Sequence, residues 1–312
     1  MAILEVHNLK KIYTTRFGGN QVQALADLNF SVEKGEMMAL LGPNGAGKTT
    51  TLKLLSGILY PTSGEVLVNG FVPWERKNEF KRSFAIVMGQ KNQLWWDLPA
   101  SDSLYLNKCI YDVDDREYKK TVDELSELLG VRELMNIQVR RLSLGERMKM
   151  EILAALIHRP GILFLDEPTI GLDIVSQQKI RDFLHYYNEQ TKTTIILTSH
   201  YMRDIEALCS RAVIINSGTL VYDGALSDIN HRMGDKRLLT LSFSSPVETG
   251  KLSIFGRVRE NKDLTAVLEI PKERIKETAS QMLSLFPVDD FTVTEVPLEE
   301  SIARIFTGEV AG

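Results

Sequence analysis

Residues 37–50 read MMALLGPNGAGKTT, and they carry the strongest signal for the fold of the chain. The apolar run Met37–Leu41 predicts a short buried strand, and Lys48–Ser56 predicts a helix that Gly57 ends. The residues between them fit the pattern G-x-x-x-x-G-K-[ST]. A strand, a glycine-rich loop and a helix in this order predict a phosphate-binding loop in an α/β domain.

The residue types in this loop suit a phosphate ligand. Its glycines let backbone N–H groups curl around a phosphate, Lys48 supplies a positive charge, and Thr49 supplies a hydroxyl for Mg²⁺. The alternative is a plain glycine-rich turn. From average residue frequencies, a chance match to the pattern is on the order of one in a hundred, which disfavours that alternative.

A second apolar run, Ile162–Leu165, predicts a buried strand that ends in Asp166 and Glu167. Because α/β sheets bind ligands at the carboxyl ends of their strands, Asp166 is placed to hold Mg²⁺. Glu167 beside it is placed to orient or deprotonate an attacking water. Two acids at a strand exit are also a common surface feature, but their position downstream of a phosphate loop favours the functional interpretation.

The chain is predicted to contain two domains, residues 1–228 and 229–312. In the first, short strands alternate with helices, as in an α/β domain, and Thr194–Leu197 predicts a further buried parallel strand. A β-hairpin is predicted over Val213–Val221 on a Ser-Gly turn. The second domain is predicted to be a small α+β unit, with strands at 238–243, 264–270 and 291–295 and helices at 272–285 and 298–305.

The composition narrows the range of functions that the chain can have. The net charge is −4, and no long Lys/Arg stripe is present, so nucleic acid is not expected as a partner. Cys109 and Cys209 are far apart and are predicted to be free thiols in a reducing compartment. There is no apolar run of about 18 residues and no signal peptide at Met1, which predicts a cytoplasmic protein unless another protein holds it at a membrane.

The segment Leu142-Ser-Leu-Gly-Glu146 opens a predicted helix. Ser143 and Glu146 form the pattern of a capping box, so the simplest interpretation is a well-made helix start. Such a start also presents N–H groups and the positive end of the helix dipole, which attract anions.

With this segment the chain resembles the ATP-binding subunit of ABC transporters over about residues 3–228. LSLGE resembles that family's LSGGQ signature, and the order and spacing of the motifs agree. Two departures stand out: Leu144 replaces a glycine and Glu146 a glutamine, and Gly171-Leu-Asp173 stands where the family often has Ser-Ala-Leu-Asp. Gly145, where a backbone must approach phosphate closely, is kept.

The resemblance implies an α/β P-loop NTPase cassette of the ABC type, with a core sheet and a helical subdomain at about residues 91–160. It implies ATP and Mg²⁺ as cofactors, with Gln90, Glu167 and His200 as catalytic residues and Thr49, Gln90 and Asp166 near the metal. The residues that it places around ATP are Tyr13, Val22, Gly42, Asn44, Gly45, Ala46, Gly47, Lys48, Thr49, Thr50, Ser143, Gly145 and Glu146.

Three of these assignments have simpler rivals. His200, in Leu197-Thr-Ser-His, could be a satisfied structural histidine. Gln90 could be a plain loop amide. Tyr13, expected to stack on adenine, could be an edge-strand aromatic.

The resemblance also implies partners. Two copies of the cassette would sandwich two ATP molecules, with the LSLGE loop of one completing the ATP site of the other. Gln90 would begin a loop that reaches the permease, so Trp95 or Trp96 is expected to anchor a membrane subunit. The alternative is that both tryptophans cover the helical subdomain of their own chain.

The C-terminal unit resembles the extensions of ABC-2 type exporter subunits for drugs, lipids or polysaccharides, and a role in dimer contact or regulation is expected for it. The chain would then lie at the cytoplasmic face of the membrane, held by permease subunits. One alternative is a soluble ABC-type ATPase that remodels a ribosome or nucleic-acid complex. Another, a P-loop kinase or GTPase, leaves LSLGE, Gln90 and His200 unexplained.

Overall fold

The computed structural model describes residues 2–14, 19, 21–89, 91–232 and 235–307. The chain forms two compact units, Met1–Leu226 and Ser227–Gly312, a division two residues before the one expected from the sequence. Among the described residues, none of the helices combines the length and the apolar character needed to cross a membrane.

The first unit is built on a mixed sheet that, counted over the described residues, has nine strands in the order β4-β1-β2-β9-β8-β3-β7-β6-β5. β3, β5, β6, β7 and β8 pair in parallel, whereas β1 pairs antiparallel with β2 and β4. The strands are β1 (Ala2–Thr14), β2 (Gln21–Glu33), β3 (Met37–Leu41), β4 (Ser63–Val68), β5 (Phe84–Met88), β6 (Ile162–Asp166), β7 (Thr194–Thr198), β8 (Arg211–Asn216) and β9 (Thr219–Ala225).

The central strands are apolar because both faces of the sheet are covered. Every residue of β3 and β7 is buried, and in β6 only Asp166 is not fully buried. The predicted parallel strands and the β8–β9 hairpin, which turns at Ser217 and Gly218, are therefore confirmed. The strand β5 has no counterpart in the sequence-based prediction.

Among the described residues, three helices of the first unit begin at a residue whose side chain caps the helix. Asp114 caps one of them by accepting a hydrogen bond from Arg116 N–H at 2.8 Å. Ser143 and Glu146 form the predicted capping box of another. The helices are α1 (Lys48–Leu55), α2 (Asn78–Ser83), α3 (Ala100–Tyr111), α4 (Asp115–Leu128), α5 (Leu144–Leu156), α6 (Ile174–Thr191) and α7 (Met202–Leu208).

The second unit has an antiparallel sheet of four strands over residues 235–307, in the order β11-β12-β10-β13. The chain order of strand, helix, strand, strand, helix, strand with this sheet order is the ferredoxin-like arrangement. Its elements are α8 (Ser227–Arg232), β10 (Lys236–Phe243), α9 (Thr249–Leu252), β11 (Arg257–Lys262), β12 (Thr265–Pro271), α10 (Ile275–Leu285), β13 (Val288–Glu295) and α11 (Leu298–Thr307). The sequence-based prediction lacked α9 and β11.

A buried carboxylate ties α11 to the sheet of this unit. Glu269 of β12 is ion-paired with Lys236 at 3.0 Å, with Arg304 of α11 at 3.1 Å, and with Arg259. Burial by itself raises the pKa of Glu269, but hydrogen bonds from Lys236 and Arg304 and the charge of Arg259 outweigh it and lower the pKa to about 2.

Candidate functional site

The phosphate loop, residues 42–50, runs from the end of β3 into the first turn of α1 at the carboxyl edge of the parallel strands. Its lysine is buried, and Lys48 Nζ donates hydrogen bonds to the carbonyl oxygens of Gly42 at 2.7 Å and Pro43 at 3.2 Å. Burial lowers the pKa of Lys48, and the charges of Glu167 and Asp166 oppose that change. The Lys48 ammonium thus lies inside the loop, while Asn44 and Gly45 face solvent.

At the end of β6, Asp166 accepts hydrogen bonds from two hydroxyl groups. Thr49 Oγ1 donates to Asp166 Oδ2 at 2.9 Å, and Thr198 Oγ1 donates to Asp166 Oδ1 at 2.7 Å. Sequence reasoning did not single out Thr198, although it ends β7 and pairs in register with Asp166 in β6. The hydroxyl of Thr49 and the carboxylate of Asp166 fit Mg²⁺, which takes oxygen ligands from one or two carboxylates together with substrate phosphates and water.

Glu167 is placed beside this pair in an uncommon backbone conformation. Its φ is 55°, in the left-handed region that non-glycine residues rarely adopt outside strained or functional positions. Its N–H donates to Thr198 O at 3.0 Å, and its Oε1 lies 2.8 Å from His200 Nε2. The structure therefore brings together Thr49, Asp166, Glu167 and His200. Gln90 lies outside the described residues.

The signature loop, residues 142–146, is packed against the start of α6. Ser143 N–H donates to Glu146 Oε2 at 2.8 Å, so these two residues cap α5 together. A Cβ on Gly145 would collide with the side chain of Ser176. Ser176 is itself fixed, because its N–H and Oγ donate to Asp173, the cap of α6, at 2.9 and 2.7 Å. Gly145 is thus required by packing within this chain as well as by any approach of phosphate.

The two departures from the family pattern form one contact. Gly171 has a φ of +72°, and a Cβ on it would lie 3.2 Å from Leu144 Cδ2. The larger residue in the signature loop is therefore matched by a glycine in the segment before α6. Leu144, Ile174 and Val175 are all exposed, which leaves an apolar patch beside the signature loop.

Tyr13 and Val22 face each other across β1 and β2. Both are exposed, and the ammonium of Lys11 lies 5.1 Å from the centre of the Tyr13 ring. Farther along β2, Leu25 packs so closely on Gly47 of the phosphate loop that a Cβ there would have no space. The strand that carries Val22 therefore leads directly to the phosphate loop.

The tryptophan pair lies in the tryptophan loop, residues 91–99, between β5 and α3. Trp95 is 58% exposed and Trp96 is 44% exposed. The Arg147 guanidinium of α5 lies 5.3 Å from the centre of the Trp96 ring, so Trp96 partly covers its own chain, whereas the Trp95 backbone N–H donates to Ser103 Oγ at 3.0 Å.

A groove of about 450 Å³ opens close to this loop. It lies between the edge of the sheet and helices α3 and α5. Both apolar and polar side chains line it, among them Ile58, Phe84, Gln93, Asn107, Ile110 and Tyr111.

Comparison with known proteins places these features in one family. Residues 25–170 match the family described as ABC transporter, and residues 235–294 match that described as EvrA-like ABC transporter, C-terminal domain. The ABC transporter ATP-binding protein NatA of Bacillus subtilis is 37% identical over 208 residues, which cover 67% of this chain and 84% of NatA. The linearmycin resistance ATP-binding protein LnrL of the same organism is 33% identical over 268 residues, covering 86% of this chain and 84% of LnrL.

Solved structures agree. An ATP binding subunit of an ABC transporter superposes with a TM-score of 0.66 and 27% identity, covering 74% of this chain and 93% of that one. The cbiO1 protein of Clostridium perfringens, part of the ABC transporter complex cbiONQ, superposes with a TM-score of 0.63 and 26% identity, covering 74% and 96%.

Proposed function

The chain belongs to the ABC transporter family, and we propose that two copies of it power an exporter at the cytoplasmic face of a membrane. It is an ATP-binding subunit and an ATPase. One observation carries the proposed mechanism: Thr49, Asp166, Glu167 and His200 converge at the edge of the sheet beside the phosphate loop. LnrL is named for linearmycin resistance, and YbhF of Escherichia coli, 33% identical over 70% of this chain and 37% of its own length, is named a probable multidrug ABC transporter ATP-binding protein, which favours export.

Each residue of the site has a proposed task in hydrolysis. Backbone N–H groups of the phosphate loop and the Lys48 ammonium bind the β- and γ-phosphates, once Lys48 exchanges the carbonyl oxygens of Gly42 and Pro43 for phosphate oxygens. Thr49 and Asp166 would hold Mg²⁺, which when bound neutralises charge on the phosphates. Glu167 orients the attacking water, and His200 fixes the Glu167 carboxylate.

A second copy is proposed to complete the site. Ser143 and Leu144 are exposed, and the N-terminus of α5 directs N–H groups outward, where they can bind the γ-phosphate held by a partner cassette. The exposed patch of Leu144, Ile174 and Val175 supplies apolar surface for that partner to cover. ATP would then join the two copies and hydrolysis would release them.

The groove and the tryptophan loop are proposed as the docking surface for a permease of the ABC-2 type. An exposed aromatic residue close to a groove is typical of an interface anchor: more than half of the Trp95 surface is exposed, and Gln93 of the same loop lines the groove. Trp96, which already contacts Arg147, would form the edge of the surface.

The test is co-purification. The tagged Glu167→Gln chain is expressed in its native host, membranes are solubilised in mild detergent with Mg-ATP, and the partners are identified by mass spectrometry. A polytopic membrane protein in near-stoichiometric amount supports the proposal and identifies the subunit through which the cargo passes. Recovery of ribosomal proteins would favour the remodelling ATPase instead, and recovery of no partner would contradict docking on a permease.

A further inference from the structure

Glu151 is a buried acid that the proposed hydrolysis does not use. It lies in α5 with only 2% of its surface exposed. Its Oε1 accepts a hydrogen bond of 3.4 Å from the backbone N–H of Gln93 in the tryptophan loop, and its Oε2 has no hydrogen-bond partner among the described residues. A buried carboxyl oxygen without a partner is costly, so its retention calls for a reason.

Arg147 lies one helical turn before Glu151. Residues four apart share a face of a helix, so both side chains point from α5 towards the tryptophan loop. Arg147 covers the ring of Trp96, and its charge acts on Glu151. Two successive turns of α5 therefore contact two points of this loop, Gln93 and Trp96.

The same helix begins in the signature loop. Ser143 caps α5, and Gly145 packs on α6. The N-terminus of α5 is therefore fixed to α6, whereas its second and third turns contact the tryptophan loop. Along the helix, which rises about 1.5 Å per residue, Glu151 lies only about 12 Å from the cap. A displacement of the tryptophan loop can be passed to the signature loop over this distance by a single packed helix.

We propose that Arg147 and Glu151 are positioning residues that clamp the tryptophan loop onto α5, so that the docking surface and the signature loop move as one body. This inference rests on the proposed function, because it assigns the coupling route between the permease surface and the ATP site. It adds two residues, outside the ATP site and outside the exposed docking surface, to the machinery of the transporter.

Tryptophan fluorescence of the full chain tests the clamp. Trp74→Phe leaves Trp95 and Trp96 as the only tryptophans, and Glu167→Gln in the same chain slows turnover so that the ATP-bound state can be recorded. Saturating Mg-ATP is expected to change the emission of this parent chain. Arg147→Gln, and Glu151→Leu, which keeps volume but lacks an acceptor, are each expected to reduce the change by about half or more, because the tryptophan loop then loses one of its contacts with α5.

Two variants distinguish positioning from folding. Glu151→Gln keeps an acceptor for Gln93 N–H and is expected to retain most of the response. Arg116→Gln, an exposed arginine of α4, is the matched control for Arg147→Gln and should behave as the parent. An unchanged response in both Arg147→Gln and Glu151→Leu, or no response in the parent chain, overturns the proposal.

The outcome is separable from that of the co-purification. If a permease co-purifies but the fluorescence response is unchanged in the Arg147 and Glu151 variants, the proposed function stands and the clamp fails. If the response depends on these residues but no membrane protein is recovered, the clamp stands as a link within the cassette and the docking proposal fails.

Discussion

His200 Nε2 lies 2.8 Å from Glu167 Oε1, at the point where two neighbouring parallel strands, β6 and β7, end. The backbone of Glu167 is held in a left-handed conformation by hydrogen bonds from its N–H to Thr198. Thr198 therefore fixes the backbone of Glu167, and the imidazole of His200 fixes its carboxylate. This geometry makes the pair the centre of the proposed hydrolysis.

His200→Ala is expected to lower kcat by about a hundredfold, the scale of a lost acid–base or positioning contact. The affinity for ATP should change little, because the phosphate loop and Lys48 are untouched. Rates of phosphate release and nucleotide titrations measure the two effects. His185→Ala is the matched control, since His185 pairs with Glu189 at 3.6 Å on the exposed side of α6. Wild-type turnover in His200→Ala would remove His200 from the mechanism.

Leu144 and Gly171 are expected to be energetically coupled. Gly171→Ala carries a cost from its left-handed φ in any background, and a further cost from the contact with Leu144 Cδ2 at 3.2 Å. In a Leu144→Ala background only the first cost remains. Urea unfolding of the four chains of this double-mutant cycle should give a coupling of about 1 kcal/mol. Additive effects would show that the two departures from the family pattern are independent.

Glu151 is expected to make the stability of the cassette depend on pH. Burial raises the pKa of Glu151 from 4.5 to about 7, and the hydrogen bond from Gln93 and the charge of Arg147 oppose this. Between these values the folded chain retains a proton that the unfolded chain releases. The contribution of Glu151 to stability is therefore complete below pH 4.5 and is lost as the pH rises through about 7, by roughly 3 kcal/mol.

Glu151→Gln removes this titration. Urea unfolding followed by tryptophan emission, which reports on the cassette because Trp74, Trp95 and Trp96 all lie in it, measures the free energy of unfolding from pH 5 to pH 8. The variant should lose the downward slope that the natural chain shows over this range. Parallel profiles for the two chains would contradict a raised pKa at Glu151.

The two cysteines are expected to differ in reactivity. Cys109 is exposed, whereas Cys209 is buried, and burial raises the pKa of Cys209 to about 12. Because the thiolate is the reactive form, iodoacetamide at pH 8 should label one cysteine of the folded chain and both in denaturant. Cys109→Ser should then take up no label until it is unfolded, and rapid labelling of that folded variant would contradict the buried position of Cys209.

Local patterns in the sequence predicted much of the architecture. The apolar runs of β3, β6 and β7 and the Ser-Gly turn of the hairpin depend on short stretches, whose burial and turn geometry follow from residue type. The strand β11 was missed because Arg257–Lys262 is mostly charged and neither alternates nor forms an apolar run. It is a strand because β12 pairs with it.

Contacts between segments far apart in the chain could not be predicted from the sequence. Leu144 and Gly171 were recognised as two separate departures, and nothing local shows that one fills the space left by the other. Thr198 joins Asp166 only because two strands far apart in the chain lie in register. Nothing in the local sequence marks Glu151 as a buried acid, because its burial depends on the segments that cover α5 on nearly every side. The roles assigned to the ATP-site residues remain predictions for the experiments above.

ATP-driven dimerisation is tested by the mass of the Glu167→Gln chain in solution, measured by light scattering after gel filtration at saturating Mg-ATP and, as a control, Mg-ADP. Glutamine keeps the shape of the side chain but lacks the carboxylate charge that orients the attacking water for reaction, so ATP should persist between two cassettes. We expect a dimer with Mg-ATP and a monomer with Mg-ADP. A chain that stays strictly monomeric with Mg-ATP would contradict the proposal that ATP joins two copies.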